Sequence, residues 1–357
     1  MNFLARQERI RRAFLERELE ALLVTHLPNV RYLTGFTGSA GMALVTPETT
    51  YLTVDSRYLH QARAQVAAHV VPAEDTHERA VLDLIRRERL RRVGFEIERV
   101  SVARHEFFVS ELGETVTWIP TRGVVEDVRV VKDAEEREAI RRAVELVARV
   151  FSEILIEIRP GVRERDLAVE LEYRLRRSGA ERLAFETIVA SGERAALPHG
   201  IASERRIGYN EFVVIDVGAV VDGYCSDMTR TVYVGTPDAR AREIYHVVLE
   251  AQLQCEREMR AGMSARAIDA LTRGLITARG YGEFYGHATG HGIGLEVHEA
   301  PRLSRHNDAP VPAGAVVTVE PGIYLPGWGG VRIEDVVIVH EDGGEVLTPT
   351  PKELLAI

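Results

Sequence analysis

A chain of 357 residues with a formal net charge of −9 is long enough for two domains, each with its own core. Its charges are interspersed without any like-sign block, which offers neither nucleic acid nor an anionic membrane a docking surface. Lysine occurs only at 132 and 352, so the rest of the 45 basic residues are arginines, scattered through every segment as a coding habit would scatter them.

The opening MNFLARQERIRRAFLEREL is charged throughout and lacks the apolar stretch of a signal peptide. No run approaches the roughly 18 apolar residues of a membrane span. Two cysteines, Cys225 and Cys255, make no disulfide framework, so the expected compartment is the reducing cytoplasm.

Up to about residue 122 short apolar strands (ALLVTH, YLTVD, VGFE) alternate with helical stretches such as HERAVLDLIRRERLRR, which predicts an α/β layer. His60, His69 and His77 fall here and read as ordinary structural residues. A join follows in GVVEDVRVVK, and the expected domains are 1–126 and 127–357. Asp133 with Glu136 then forms a capping-box signature. Ile140, Ala143, Val147, Val150, Ile154 and Ile158 recur beyond it at helical spacing, predicting a long amphipathic helix.

The second domain carries an internal echo. EIRPGVRERDLAVELEYRLRRSG (157–179) aligns with EMRAGMSARAIDALTRGLITARG (258–280) at an offset of 101, sharing Glu, Arg, Gly, Arg and Gly. Each copy reads as a turn and a helix leading to strands that carry acids. Such a duplication predicts pseudo-twofold halves with a site between them.

In the first half, FVVIDVGAV and YCSDMTRTVYV flank Asp222-Gly223, a pair suited to a type I′ turn because both residues tolerate positive φ. Val221 then faces Tyr224, Gly218 faces Asp227 and Asp216 faces Thr229, leaving the two aspartates as diagonal neighbours roughly 7–8 Å apart at Cα. On the hairpin alone, a solvated edge and a buried pair compensated by a cation are both open. In the second half, Glu320 (VVTVEPGIYLP) and Glu334 (GGVRIEDVVIV) lie in β-branched runs joined by PGWGG, so a loop near Gly327 sets them almost opposite one another. Four carboxylates converging in one interior require compensation, which two divalent cations supply. Carboxylates with one imidazole suit Mn, Co, Fe or Zn, paired about 3.5–4 Å apart.

The imidazole comes from GHATGHGIGLEVHE, with histidines at 287, 291 and 298. Its glycines do not fit G-x-G-x-x-G, since Leu295 takes the sixth position, and no P-loop lysine follows.

From about residue 150 to the end, these acids and histidines, in this order, resemble the pita-bread metallopeptidases, the group of methionine aminopeptidase, aminopeptidase P and prolidase. The leading 130 or so residues resemble the N-terminal domain of the latter two and of creatinase, in LPNVRYLTGFTGSAG and VDSRYLHQA. The resemblance implies an α/β creatinase-like domain followed by an α+β pita-bread catalytic domain. It makes Asp216 a ligand of one metal, Asp227 and Glu334 bridges, and His291 and Glu320 ligands of the other, with two divalent ions per subunit, manganese or cobalt foremost and zinc or iron as substitutes.

His199 (SGERAALPHG) and His298 (EVHE) match the family's substrate histidines, and Arg332 looks like a partner for a ligating carboxylate. The resemblance implies that Glu320 moves a proton from water to the leaving nitrogen while the histidines hold the substrate. It also implies an Xaa-Pro dipeptidase, with Arg302 (HEAPRL) recognising the substrate's free carboxylate. The alternatives are an Xaa-Pro aminopeptidase acting on longer peptides and, more remotely, a metal-free binding module or a creatinase-like enzyme. Proline-containing peptides and a second copy of the chain, in a homodimer, are the expected partners.

Overall fold

The computed structural model describes residues 1–357, which divide into two compact units, Met1–Arg129 and Val130–Ile357. The division falls within the short helix Glu126–Val130, against an expected join after residue 126. No helix is long and apolar enough to cross a membrane.

In the first unit a six-stranded sheet runs in the order His69–Pro72, Thr50–Val54, Met42–Val45, Ala21–Val24, Arg92–Glu96, Thr117–Thr121. The sheet is mixed, with Ala21–Val24 antiparallel to Met42–Val45 and parallel to Arg92–Glu96. Helix His77–Arg87 shows why the alternation was readable. Thr76 caps it by accepting from the Arg79 amide, and Val81, Leu82, Leu84 and Ile85 bury one face against Leu23, Leu44 and Val93. The ring of His69 packs edge-on to Tyr51, and His77 lies beside Asp55, both in structural roles.

The second unit opens with helix Ala134–Ile154. Its capping box forms in both directions, Glu136 N to Asp133 at 2.9 Å and Asp133 N to Glu136 at 3.0 Å. Ile140, Ala143, Val147, Val150 and Ile154 are buried along one stripe as expected. Ile158 is buried too, but outside the helix, which tightens into a 3₁₀ turn over Leu155–Glu157.

The echo becomes architecture. Helices Glu164–Arg177 and Ala265–Ala278 are each 14 residues long and start 101 positions apart, and each follows a glycine at positive φ, Gly161 and Gly262. Their strands repeat the same order. Met228–Val234, Glu211–Val217 and Ile188–Ser191 are neighbours in one sheet, as Asp335–Val339, Val316–Val319 and Gly290–Gly292 are in the other. Period-two alternation in Glu211–Val217 sends Val213, Ile215 and Val217 into one core and Phe212 and Val214 into another, and Asp216 shares the face of the latter pair.

Candidate metal centre

Asp222 and Gly223 both adopt positive φ, as the type I′ turn requires, and Val221 pairs with Tyr224. Further along the same ladder Asp216 pairs with Thr229. Between these rungs Gly218 lies in a gap of the ladder, where an added Cβ would stand 2.3 Å from the Ser226 carbonyl oxygen. Only glycine permits that approach, which leaves Asp227 free to turn inward. In the other half Gly322 pairs with Arg332 across the turn at Gly327, and Val319 pairs with Asp335, so Glu320 and Glu334 stand where the two ladders meet.

All four acids line one cavity of about 640 Å³ within the second unit, together with His199, His291, His298, Arg302 and Arg332. The solvated-edge alternative is thereby closed: Asp216, Asp227 and Glu334 are buried and Glu320 is half-buried. Arg332, itself buried, donates from Nη2 to Asp216 Oδ2 at 2.7 Å, and from Nε to Thr229 Oγ1 at 3.0 Å. Thr229 in turn donates to Glu334 Oε2 at 2.7 Å. The Arg332 guanidinium therefore reaches Asp216 directly and Glu334 through Thr229.

The remainder is uncompensated. Asp216 Oδ1 and Asp227 Oδ1 are buried with no hydrogen-bond partner. Burial, followed by the charges of Glu334, Asp216 and Glu320, holds the Asp227 carboxyl well above the usual range. Glu334 is raised likewise by burial and by Glu320 and Asp216, and Glu320, chiefly through burial, is pushed up to about 8.

His291 adds a second sign. Its Nδ1 lies 3.1 Å from the Gly292 carbonyl, which can only accept, so Nδ1 carries the proton. Burial pushes its pKa down to about 4, so the ring is neutral and Nε2 presents a lone pair. That lone pair points at acids: Glu320 Oε1 at 3.4 Å and Asp227 Oδ2 at 3.7 Å. Single ligand atoms of Asp227, His291 and Glu334 lie within 4.8 Å of one another. Lone pairs and carboxylates facing each other in an interior repel unless a cation lies among them, so this donor set fits divalent metal.

Around the acids stand the substrate candidates. The rings of His298 and His291 are 4.4 Å apart, edge to face, and burial followed by the charge of His199 lowers the His298 pKa. His199 and Arg302 are exposed at the cavity wall, and no ion pair within the chain holds Arg302.

Among the cavity groups the sequence left unassigned is His287. His287 Nε2 lies 2.9 Å from Tyr324 Oη, and Tyr324 Oη accepts from Arg332 Nη1 at 2.9 Å. Its signal was its place in the same glycine-rich stretch as His291, but the tyrosine that orients it comes from a distant strand.

A cavity whose carboxylates outnumber the cations the chain supplies, set between two repeated halves, is the kind of site a metal-dependent enzyme carries. Residues 138–341 match metallopeptidase family M24 and residues 6–131 match the creatinase/prolidase N-terminal domain; the chain belongs to family M24. It is a metallopeptidase that takes divalent ions, with a creatinase-like first domain and a pita-bread catalytic domain. Among solved structures, the Xaa-Pro dipeptidase from Bacillus anthracis is 42% identical, with 100% of each chain covered and a TM-score of 0.97. The X-Pro aminopeptidase from Thermotoga maritima is 39% identical, covering 97% of this chain and 100% of that one, with a TM-score of 0.91. A curated relative, the Xaa-Pro dipeptidase of Pyrococcus horikoshii, is 37% identical over 94% of this chain and 95% of its own length.

Proposed function

We propose that the protein is an Xaa-Pro dipeptidase that hydrolyses the bond before a C-terminal proline. The observation that carries this reading is the unpaired guanidinium of Arg302 on the wall of the acid-lined cavity. A dipeptide places its free carboxylate one residue beyond the scissile bond, and a guanidinium is its natural bidentate partner. The names of the relatives from Bacillus anthracis and Pyrococcus horikoshii support the same substrate class.

Asp216, Asp227, His291, Glu320 and Glu334 would hold two divalent ions, manganese or cobalt before zinc or iron, a preference suited to an oxygen-rich donor set. Such a pair, when bound, polarises the scissile carbonyl and acidifies water. The chain's own residues do the rest. Glu320 is the least enclosed of the measured acids, with 19% of its side chain accessible against 6% for Asp227, so its carboxylate reaches the substrate side. There it accepts a proton and delivers it to the departing proline nitrogen. His199 and His298 hydrogen-bond the substrate, and Arg332 fixes Asp216 in the orientation ligation needs.

Proline explains the need for such a site. Its nitrogen has no hydrogen to donate and its φ is fixed, so binding substrate as an added strand fails, whereas this cavity asks for no strand. The reading extends to a homodimer and to the cytoplasm, the latter supported by two buried cysteines that form no disulfide.

Xaa-Pro aminopeptidase activity is the second reading, favoured by the likeness to the Thermotoga maritima enzyme. Hydrolysis of Ala-Pro and Ala-Pro-Ala at equal manganese loading separates the two. Dipeptidase action predicts a higher kcat/KM for Ala-Pro; preference for the tripeptide overturns it.

A further inference from the structure

Glu164 is the first residue of helix Glu164–Arg177 and is completely buried. An acid in a first turn ordinarily serves its own helix. This one does not. Its Oε1 accepts from Ser191 N at 2.8 Å and Ser191 Oγ at 2.7 Å, and its Oε2 accepts from Ser203 N at 3.0 Å, from Ser203 Oγ at 2.6 Å and from Arg194 Nη1. All five donors belong to one distant segment. Ser191 and Ser203 are the two ends of the loop that carries His199, and Arg194 lies within it, donating onward to the Ile201 carbonyl at 2.6 Å.

The far side of the loop is held independently: Arg332 Nη1 donates to the Pro198 carbonyl, next to His199, at 3.1 Å. The imidazole is thus suspended between a carboxylate gripping the base of the loop and a guanidinium that also holds Asp216. The repeat shows that the helix itself has no use for the acid. The position 101 residues later, at the start of the equivalent 14-residue helix, is Ala265, buried with no polar side-chain atom.

We infer that Glu164 is a positioning residue for the peptidase reaction: by closing the 191–203 loop on one carboxylate it sets His199 against the bound substrate. The inference rests on the reading of His199 as a substrate histidine. A misplacement of about 1 Å in such a group costs on the order of 10²-fold in rate.

The test is a double-mutant cycle on the manganese-loaded enzyme with Ala-Pro, using Glu164→Gln, His199→Ala and their combination, with hydrogen exchange followed across residues 191–203. Expected is faster exchange confined to that loop in Glu164→Gln, a fall in kcat/KM on the order of 10²-fold, and unchanged manganese content. In the His199→Ala background Glu164→Gln should add less than about threefold, because both changes then remove one and the same interaction. Ser203→Ala, which deletes one of the five bonds, should give the same pattern more weakly, and serves if Glu164→Gln does not fold.

Exchange unchanged across the loop overturns the inference. A slow His199→Ala on which Glu164→Gln multiplies in full overturns the role of Glu164 alone. Wild-type turnover by His199→Ala overturns the reading of His199 and this role with it.

Discussion

Glu334 and Asp335 are consecutive residues whose side chains leave the strand on opposite faces, and they enter two different kinds of buried acid cluster. Asp335 accepts from Arg230 Nη2 at 2.7 Å and from Gln252 Nε2 at 3.2 Å, and Lys352 Nζ lies 2.5 Å away. Glu256 joins it, held by the same ammonium at 2.5 Å. Two acids meet two cations. Burial alone would raise the pKa of Asp335, but Arg230 and Lys352 outweigh it and bring the carboxyl below its usual range. On the other face Glu334 shares its surroundings with three more acids and one guanidinium, and it is driven the opposite way. The difference separates structure from site: where the chain furnishes its own counter-charges an ion cluster is scaffolding, and where it withholds them a cation from outside is expected.

The largest effect that tests this contrast is kinetic. Glu320→Gln keeps the shape of the side chain and removes its proton capacity, and should lower kcat by about 10²–10⁴-fold. Near-normal turnover with full metal content, measured by elemental analysis beside the assay, would remove Glu320 from the mechanism.

Next come two stability measurements of opposite outcome. Asp335→Asn leaves the buried Arg230 without its carboxylate and should cost about 3–5 kcal/mol in denaturant unfolding, with or without manganese. Asp227→Asn, in metal-free protein, relieves a repulsion and should leave stability unchanged or higher, while manganese should raise the Tm of the wild type and not that of the variant. If both variants lose stability alike and manganese stabilises both, the two clusters do not differ in kind.

The smallest effect is a pH dependence. Burial and the charge of Asp335, opposed by Lys352, push Glu256 up to about 7 from an ordinary 4.5. The folded chain therefore binds this proton more tightly than the unfolded one. Its contribution is complete below about 4.5 and is lost as pH rises through about 7. Tm of the metal-free protein should fall between pH 6 and 8, where Glu256 and Glu320 both give up their protons, and Glu256→Gln should remove the earlier part of that fall; a slope unaltered near pH 7 would assign the titration elsewhere.

The parts of the site that local chemistry fixes were legible from the residues. Asp222-Gly223 sets a turn, the turn sets a register, and the register alone puts Asp216 opposite Thr229. The repeat was legible for the same reason, since Gly161 and Gly262 mark equivalent turns at the same offset as the helices they precede. What stayed hidden depends on long-range closure. Glu164 reads as a first-turn acid until the loop 27 and 39 residues downstream folds onto it. His287 reads as one histidine among three until Tyr324 arrives, 37 positions away. Asp335, the neighbour of Glu334 in sequence, shows its separate role only once Arg230 and Lys352 are placed beside it.

The repeated halves carry a last implication for how the activity could be divided or inherited. One half brings two aspartates and the other two glutamates with the imidazole of His291, so a fragment ending between Val234 and Ala239 would hold a like-charged pair and nothing to complete it. Neither repeat could have catalysed this chemistry by itself in its present form. The full set of acids and the imidazole is assembled only where both halves are present.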